Sequence, residues 1–156
     1  MCDTIHICRN FLLLVLLAIP GVMIAVTAAA ESETMVKHLG SCPFSPNCVS
    51  SDAIDPSHHV PPFTIILPAE EAWLLVKEAV KDIPRTELTE VSDNYLRAEC
   101  RSTVFRFVDD LELELRPGEG IIAVRSASRT GYSDFGVNRR RVERLRSVLQ
   151  SRGIVK

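Results

Sequence analysis

From residue 105 to 115 the chain alternates. Phe105, Phe107, Asp109, Leu111, Leu113 and Leu115 hold the odd positions, while Arg106, Asp110, Glu112 and Glu114 hold even ones. A period of two predicts a half-buried strand. Arg116-Pro117-Gly118-Glu119-Gly120 follows as a turn, and Ile121 to Ser128 is the returning strand. With Pro117 and Gly120 flanking the turn, Leu115 faces Ile122, Leu113 faces Val124 and Leu111 faces Ser126. Glu112 then stands opposite Arg125 on the other face. A one-residue slip would expose every leucine, so the pattern determines this register. Glu112–Arg125 is expected as an exposed cross-strand ion pair of small effect.

Helical spacing appears on either side. Ala72, Trp73, Val76, Ala79, Val80 and Ile83 recur as one apolar stripe, opened by Pro68 with Glu70 and Glu71 and stopped by Pro84. Val137, Val142, Leu145, Val148 and Leu149 form a second stripe, with Asp134 as the expected N-cap and Gly153 near the end. Between the first helix and the long strand, Thr86 to Val91 and Tyr95 to Arg101 read as two strands around Ser92-Asp93-Asn94. Leu96, Ala98 and Cys100 face inward. The order predicts an α+β domain over residues 68–153, a four-stranded antiparallel meander with both helices on one face. Residues 31–67 precede it as an extended Cys- and Pro-rich arm, with five prolines between Cys42 and Thr64.

Residues 11–30 are almost wholly apolar and inflate the hydrophobic content of 46%. Ala28 and Ala30 satisfy the small-residue rule for signal peptidase, so residues 1–30 are expected to be a cleaved export signal with Glu31 first in the mature chain. The alternative is an uncleaved membrane anchor at residues 11–30, kinked at Pro20-Gly21, which would then be the chain's sole membrane contact. Either way residues 31–156 are expected outside the cytoplasm, in a periplasm or another extracytoplasmic space. Cys2 and Cys8 belong to the leader. In an oxidising compartment the close pair Cys42 and Cys48 is expected to be disulfide-bonded, leaving Cys100 as a core thiol. His58 and His59 beside these cysteines match no standard zinc spacing, and C-x5-C is not a C-x-x-C redox motif. No metal or other cofactor is expected.

The formal charge of −2 is unevenly spread. Residues 31–100 carry 12 acids against 5 bases, and residues 101–156 carry 7 acids against 12 bases. Those arginines are interleaved with carboxylates and lack a stacking pattern, so nucleic acid is not expected as a partner.

Asp109 lies on the apolar face of its strand, where a carboxylate needs a partner. Arg139, Arg140 and Arg141 crowd the first turns of the last helix, where the macrodipole disfavours cations. Arg141 leans inward beside the apolar stripe, so either Asp109 or a bound anion compensates it. The candidate binding residues are Asp109, Arg125, Ser126, Ser128, Arg129, Asp134, Asn138 and Arg141. They suit a small anionic or polar ligand, as helix N-termini do; an envelope protein is the other partner considered. A hydrolase-like enzyme using Asp109, Asp110 and Glu112 as acid–base groups or metal ligands is the alternative. Adjacent strand residues point to opposite faces, however, and no nucleophile, zinc or phosphate-loop motif is present. No catalytic residue is assigned. Asp110, on the polar face, is expected to be exposed, with Asp110→Asn changing stability by less than about 0.5 kcal/mol.

Three segments carry a resemblance: C-P-F-S-P-N-C-V-S-S at 42–51, F-V-D-D-L-E at 107–112 and V-R-S-A-S-R-T-G-Y-S-D-F-G-V-N-R-R-R-V-E at 124–143. They resemble the uncharacterised family called domain of unknown function 1499, over about residues 40–151. The resemblance implies an exported or membrane-attached protein and no particular reaction. It directs attention to Cys42, Ser45, Asn47 and Cys48 as well as to Asp110, Glu112 and the candidates above.

Overall fold

The computed structural model describes residues 39–102 and 106–156. The expected leader, residues 1–30, lies outside the described residues, as do Cys2, Cys8 and Phe105. Among the described residues no helix is long and apolar enough to cross a membrane.

In chain order the elements are β1 (Cys48–Ser50), β2 (Phe63–Thr64), α1 (Ala69–Lys81), β3 (Thr86–Val91), β4 (Tyr95–Arg101), β5 (Val108–Arg116), β6 (Ile121–Ser128) and α2 (Val137–Ser151). The architecture is α+β, as the alternation predicts. The sheet, however, has six strands rather than four: its order is β1-β6-β5-β4-β3, with β2 also on β6. Both additional strands come from the arm. Cys48 pairs with Ala127 at one end of β6, and Phe63 pairs with Ile122 at the other. The arm thereby covers what would otherwise be an open sheet edge. Strands of three and two residues are too short to leave a periodic trace in the sequence.

The β5–β6 register agrees residue by residue with the hydrophobic pattern: Leu115 faces Ile122, Leu113 faces Val124, Leu111 faces Ser126 and Glu112 faces Arg125. Pro117–Glu119 make one 3-10 turn, and Gly120 leaves it with φ 65°, a left-handed geometry open to glycine at no steric cost. The start of the strand differs from expectation. Arg106 has φ 54°, which breaks the alternation, and Phe107 is 55% exposed instead of in line with Asp109. Ser102 holds this bend by accepting the Phe107 N–H on its hydroxyl and donating its own N–H to the Phe107 carbonyl.

One core unites both helices with the sheet. Trp73, Val76 and Val80 of α1 and Val142, Leu145 and Leu149 of α2 join Leu96, Leu111, Leu113 and Val124. The second helix begins at Val137, later than expected, because Gly136 at φ 75° is its N-cap. Asp134 still serves the helix start from two residues upstream, its carboxylate accepting the N–H groups of Gly136 and Asn138.

Cys42 and Cys48 are disulfide-bonded, and Cys100 is buried with a free thiol. The bridge is compatible with an oxidising, extracytoplasmic location. Closing so short a loop restricts the unfolded chain by about 2 kcal/mol. The Cys42→Ser/Cys48→Ser variant should therefore lose about that much in urea unfolding, the size set by loop closure alone. Burial pushes the Cys100 thiol up from its ordinary range. It should resist thiol reagents until the protein unfolds, and rapid labelling of the folded protein would contradict its placement.

Candidate functional site

The candidate residues gather at the end of the sheet where β5 begins, β6 ends and α2 starts, but they divide between its two faces. On the core side Asp109 is 4% exposed and accepts a hydrogen bond from Arg141 Nη2 at 2.6 Å. Arg141 Nη1 donates to Ser126 Oγ at 2.9 Å and to Asn138 Oδ1 at 2.5 Å. Asn138, fully buried, sits at the centre of this corner. Its Nδ2 reaches Ser128 Oγ, Asp134 Oδ2 and the Asn47 carbonyl at 2.8–3.0 Å. The disulfide loop joins from the arm, with Asn47 Nδ2 donating to the Gly131 carbonyl at 2.6 Å and the Ser128 N–H donating to the Asn47 carbonyl. Asp109, Ser126, Ser128, Asp134, Asn138 and Arg141 thus form one continuous cluster, and its members satisfy one another.

Arg125 and Arg129 are not part of it. They lie on the opposite face, where Arg129 binds Asp110 and Glu99 rather than Asp109. Asp110 is not exposed as expected: it is 8% exposed and takes hydrogen bonds from both Arg97 and Arg129. Burial alone would raise its pKa, but those bonds outweigh burial and hold the carboxyl below its usual range. Glu112 is paired with Arg125 as the register requires and accepts the Tyr95 hydroxyl at 2.9 Å. This pair too is largely shielded, contrary to the expectation of a solvated one, with Glu112 buried at 8% exposure and the Arg125 side chain 16% exposed. Burial, reinforced by Glu112, pushes the Tyr95 phenol above its ordinary range.

A second group on this face had no sequence signal strong enough to select it. Arg116 forks onto Asp52 of the arm at 2.8 and 2.7 Å and onto Glu114 at 3.2 and 2.7 Å. Glu114 occupies a polar position of the alternating strand, so its complete burial depends on the arm crossing the sheet edge, a long-range event invisible to a local period. Arg97 was missed for the same reason, since only the β4–β5 register places it beside Asp110.

The carboxylates proposed for catalysis are therefore all held by guanidinium groups: Asp109 by Arg141, Asp110 by Arg97 and Arg129, and Glu112 by Arg125. Asp109 and Asp110 lie on opposite faces of β5. His58 and His59 turn their Nδ1 atoms to separate backbone carbonyls, those of Cys48 and Ala53. Among the described residues no three His, Cys, Asp or Glu side chains come together as a metal cage.

The crowded arginines of α2 also find their compensation. Arg139 donates to the carbonyls of Ser57 and His59, and Arg140 to that of Phe135. Arg146, one turn further on, donates to the carbonyls of Pro61 and Pro62 and lies over the Phe63 ring at 4.7 Å. Arg139 and Arg146 together fasten the arm to the helix.

Three further cations stand together. Among the described residues Lys81, Arg85 and Arg106 make no ion pair, Arg85 donating only to the Arg101 carbonyl at 3.2 Å, and all line one open cleft of about 840 Å³ where the α1–β3 connection meets the β4–β5 connection. Arg101, Ser102 and Thr86 complete its polar wall; Asp82 and Glu87 are its acids, Asp82 already bound to Arg152. Arg85 and Arg106 also have left-handed backbone, at φ 59° and 54°. Among the described residues only Phe135 joins them as a non-glycine in that region. Such backbone is costly and clusters at functional positions.

An α+β domain with a disulfide-bonded arm and an internally compensated arginine–carboxylate corner defines the class. The chain belongs to the family described as Protein of unknown function (DUF1499), which matches residues 38–149. A search of curated proteins found no match.

Proposed function

We propose that this is a non-catalytic binding module of an extracytoplasmic space, exported or held at the membrane by residues 11–30, and that its ligand carries an anionic group. One observation carries the reading: most arginines of the described residues are bound to a carboxylate or carbonyl of the protein itself, whereas Lys81, Arg85 and Arg106, none of them in an ion pair among those residues, line one cleft. The Asp109–Arg141 corner, first considered as the ligand site, serves here as the frame that fixes the loops and the helix start. The cleft supplies two guanidinium groups able to take oxyanions bidentately and one ammonium as a point charge. Desolvated acid–base carboxylates are missing from its wall.

The test is a panel of anions, with inorganic phosphate, pyrophosphate and sulfate as probes. At ten times its Kd an anion stabilises the folded state by about 1.4 kcal/mol. For a domain of this size that raises Tm by roughly 5 °C. Arg85→Asn/Arg106→Asn should remove the rise while keeping the unliganded Tm, because asparagine tolerates left-handed backbone. An equal rise in that variant, or no rise with any anion, overturns the reading.

A further inference from the structure

The register places four connections along one end of the sheet. Thr86 pairs with Cys100, Cys100 with Asp109, Asp109 with Ser128, and Cys48 with Ala127. The loops leaving this row are those before β3, between β4 and β5, after β6 and before β1. At ordinary strand spacing the row is about 20 Å wide. The cationic cleft lies on its β3–β4 side. On the β6–β1 side stand Phe44, Tyr132 and Phe135, which are 104%, 76% and 88% exposed.

These rings are not on slack chain. Phe44 sits inside the Cys42–Cys48 disulfide loop, and Asn47 of that loop is bonded to Gly131 beside Tyr132. Phe135 is held between the Asp134 carboxylate, which binds the next N–H, and Arg140, which binds the Phe135 carbonyl at 2.8 Å. Its φ of 53° is a strained geometry maintained by those bonds. Large apolar side chains ordinarily fold inward; here two tied loops keep three of them out.

We infer that this loop end docks on an anionic phospholipid bilayer, the three rings entering the headgroup boundary and Lys81, Arg85 and Arg106 meeting lipid phosphates. The electrostatic half of the inference rests on the anion-binding reading above; the aromatic half is independent of it. Phe and Tyr at loop tips suit the boundary between headgroups and acyl chains. Cations at the same end complement its negative surface potential. Three rings offer roughly 500 Å² of contact, less than the about 800 Å² per partner of a specific protein interface. A bilayer sets no such minimum on the area of a protein face.

The full chain would be placed in nanodiscs of phosphatidylcholine, with and without phosphatidylglycerol, and amide exchange followed at residues 42–47 and 129–137. Exchange should slow severalfold when phosphatidylglycerol is present. Phe44→Ser/Tyr132→Ser/Phe135→Ser should abolish the slowing without changing Tm, and Arg85→Asn/Arg106→Asn should weaken it. Equal exchange in both lipids, with the triple variant matching the parent, overturns the docking. If phosphate still raises Tm in that case, the anion site stands alone; if it does not, both readings fall. Protection that follows protein concentration and ignores phosphatidylglycerol would assign the face to a second copy instead.

Discussion

Replacing Asp109 by asparagine should destabilise the domain by roughly 3 kcal/mol, the lower end of the cost of breaking a buried charge pair. The reason is Arg141. Its side chain is 12% exposed, and Asp109 is its one carboxylate partner among the described residues. The variant leaves a guanidinium in a nearly dry corner with only Ser126 and Asn138 accepting from it. Those two acceptors keep the loss from being larger. Asp110→Asn is the informative comparison. Its arginines, Arg97 and Arg129, each have side chains 39% exposed and can turn to water. The loss there should be about 1 kcal/mol, discounted for that screening. Asp110 also sets a pH dependence. Its folded pKa lies below the ordinary 3.8, so its contribution is fully present above that value and disappears as pH falls through the folded pKa. The acid limb of stability should therefore be shallower in Asp110→Asn than in the parent. Urea unfolding of both variants across acid pH measures both effects. An Asp109→Asn protein as stable as the parent would refute the buried clamp.

How much of this was legible in the sequence depends on the range of the interaction involved. The β5–β6 register was readable because leucines at alternate positions can face the core in only one alignment. The inward lean of Arg141 was readable because helical spacing places it beside the apolar stripe. The disulfide followed from proximity and compartment. What the period of two could not report was how deeply the polar face is covered. Asp110, Glu112 and Glu114 look solvated on a strand drawing, yet arginines from β4, β6 and β5 itself lie across them, and Asp52 reaches in from the arm. Arg129 stands among the candidate residues with Asp109, but it lies one position beyond Ser128, the cross-strand partner of Asp109, and so points to the other face. The cleft was illegible for another reason. Lys81 ends α1, Arg85 follows it in the α1–β3 connection and Arg106 lies in the β4–β5 connection, and only the pairing of β3 with β4 brings these together.

The deepest charges among the described residues give the other large effect. Arg116 is 2% exposed and Glu114 is fully buried, so neither can recover solvent when its partner is lost. Arg116→Ala should cost about 3–5 kcal/mol, since it deprives a buried carboxylate of the guanidinium that neutralises it. The same substitution cuts the fork onto Asp52, which ties residues 51–53 of the arm to the end of β5. Two results should therefore appear together: a lower urea midpoint and faster protease cleavage within residues 50–60. Asp52→Asn, whose side chain is 24% exposed, should give the faster cleavage with a smaller loss of stability. Glu114→Leu/Arg116→Met separates the charge penalty from the packing. With both ions replaced by apolar groups the buried-charge cost vanishes, and such replacements are commonly neutral or stabilising. The double variant should regain most of what Arg116→Ala loses, while the arm stays sensitive to protease because Asp52 has lost its guanidinium. If Arg116→Ala unfolds within about 1 kcal/mol of the parent, Arg116 is not the charge that makes burial of Glu114 tolerable.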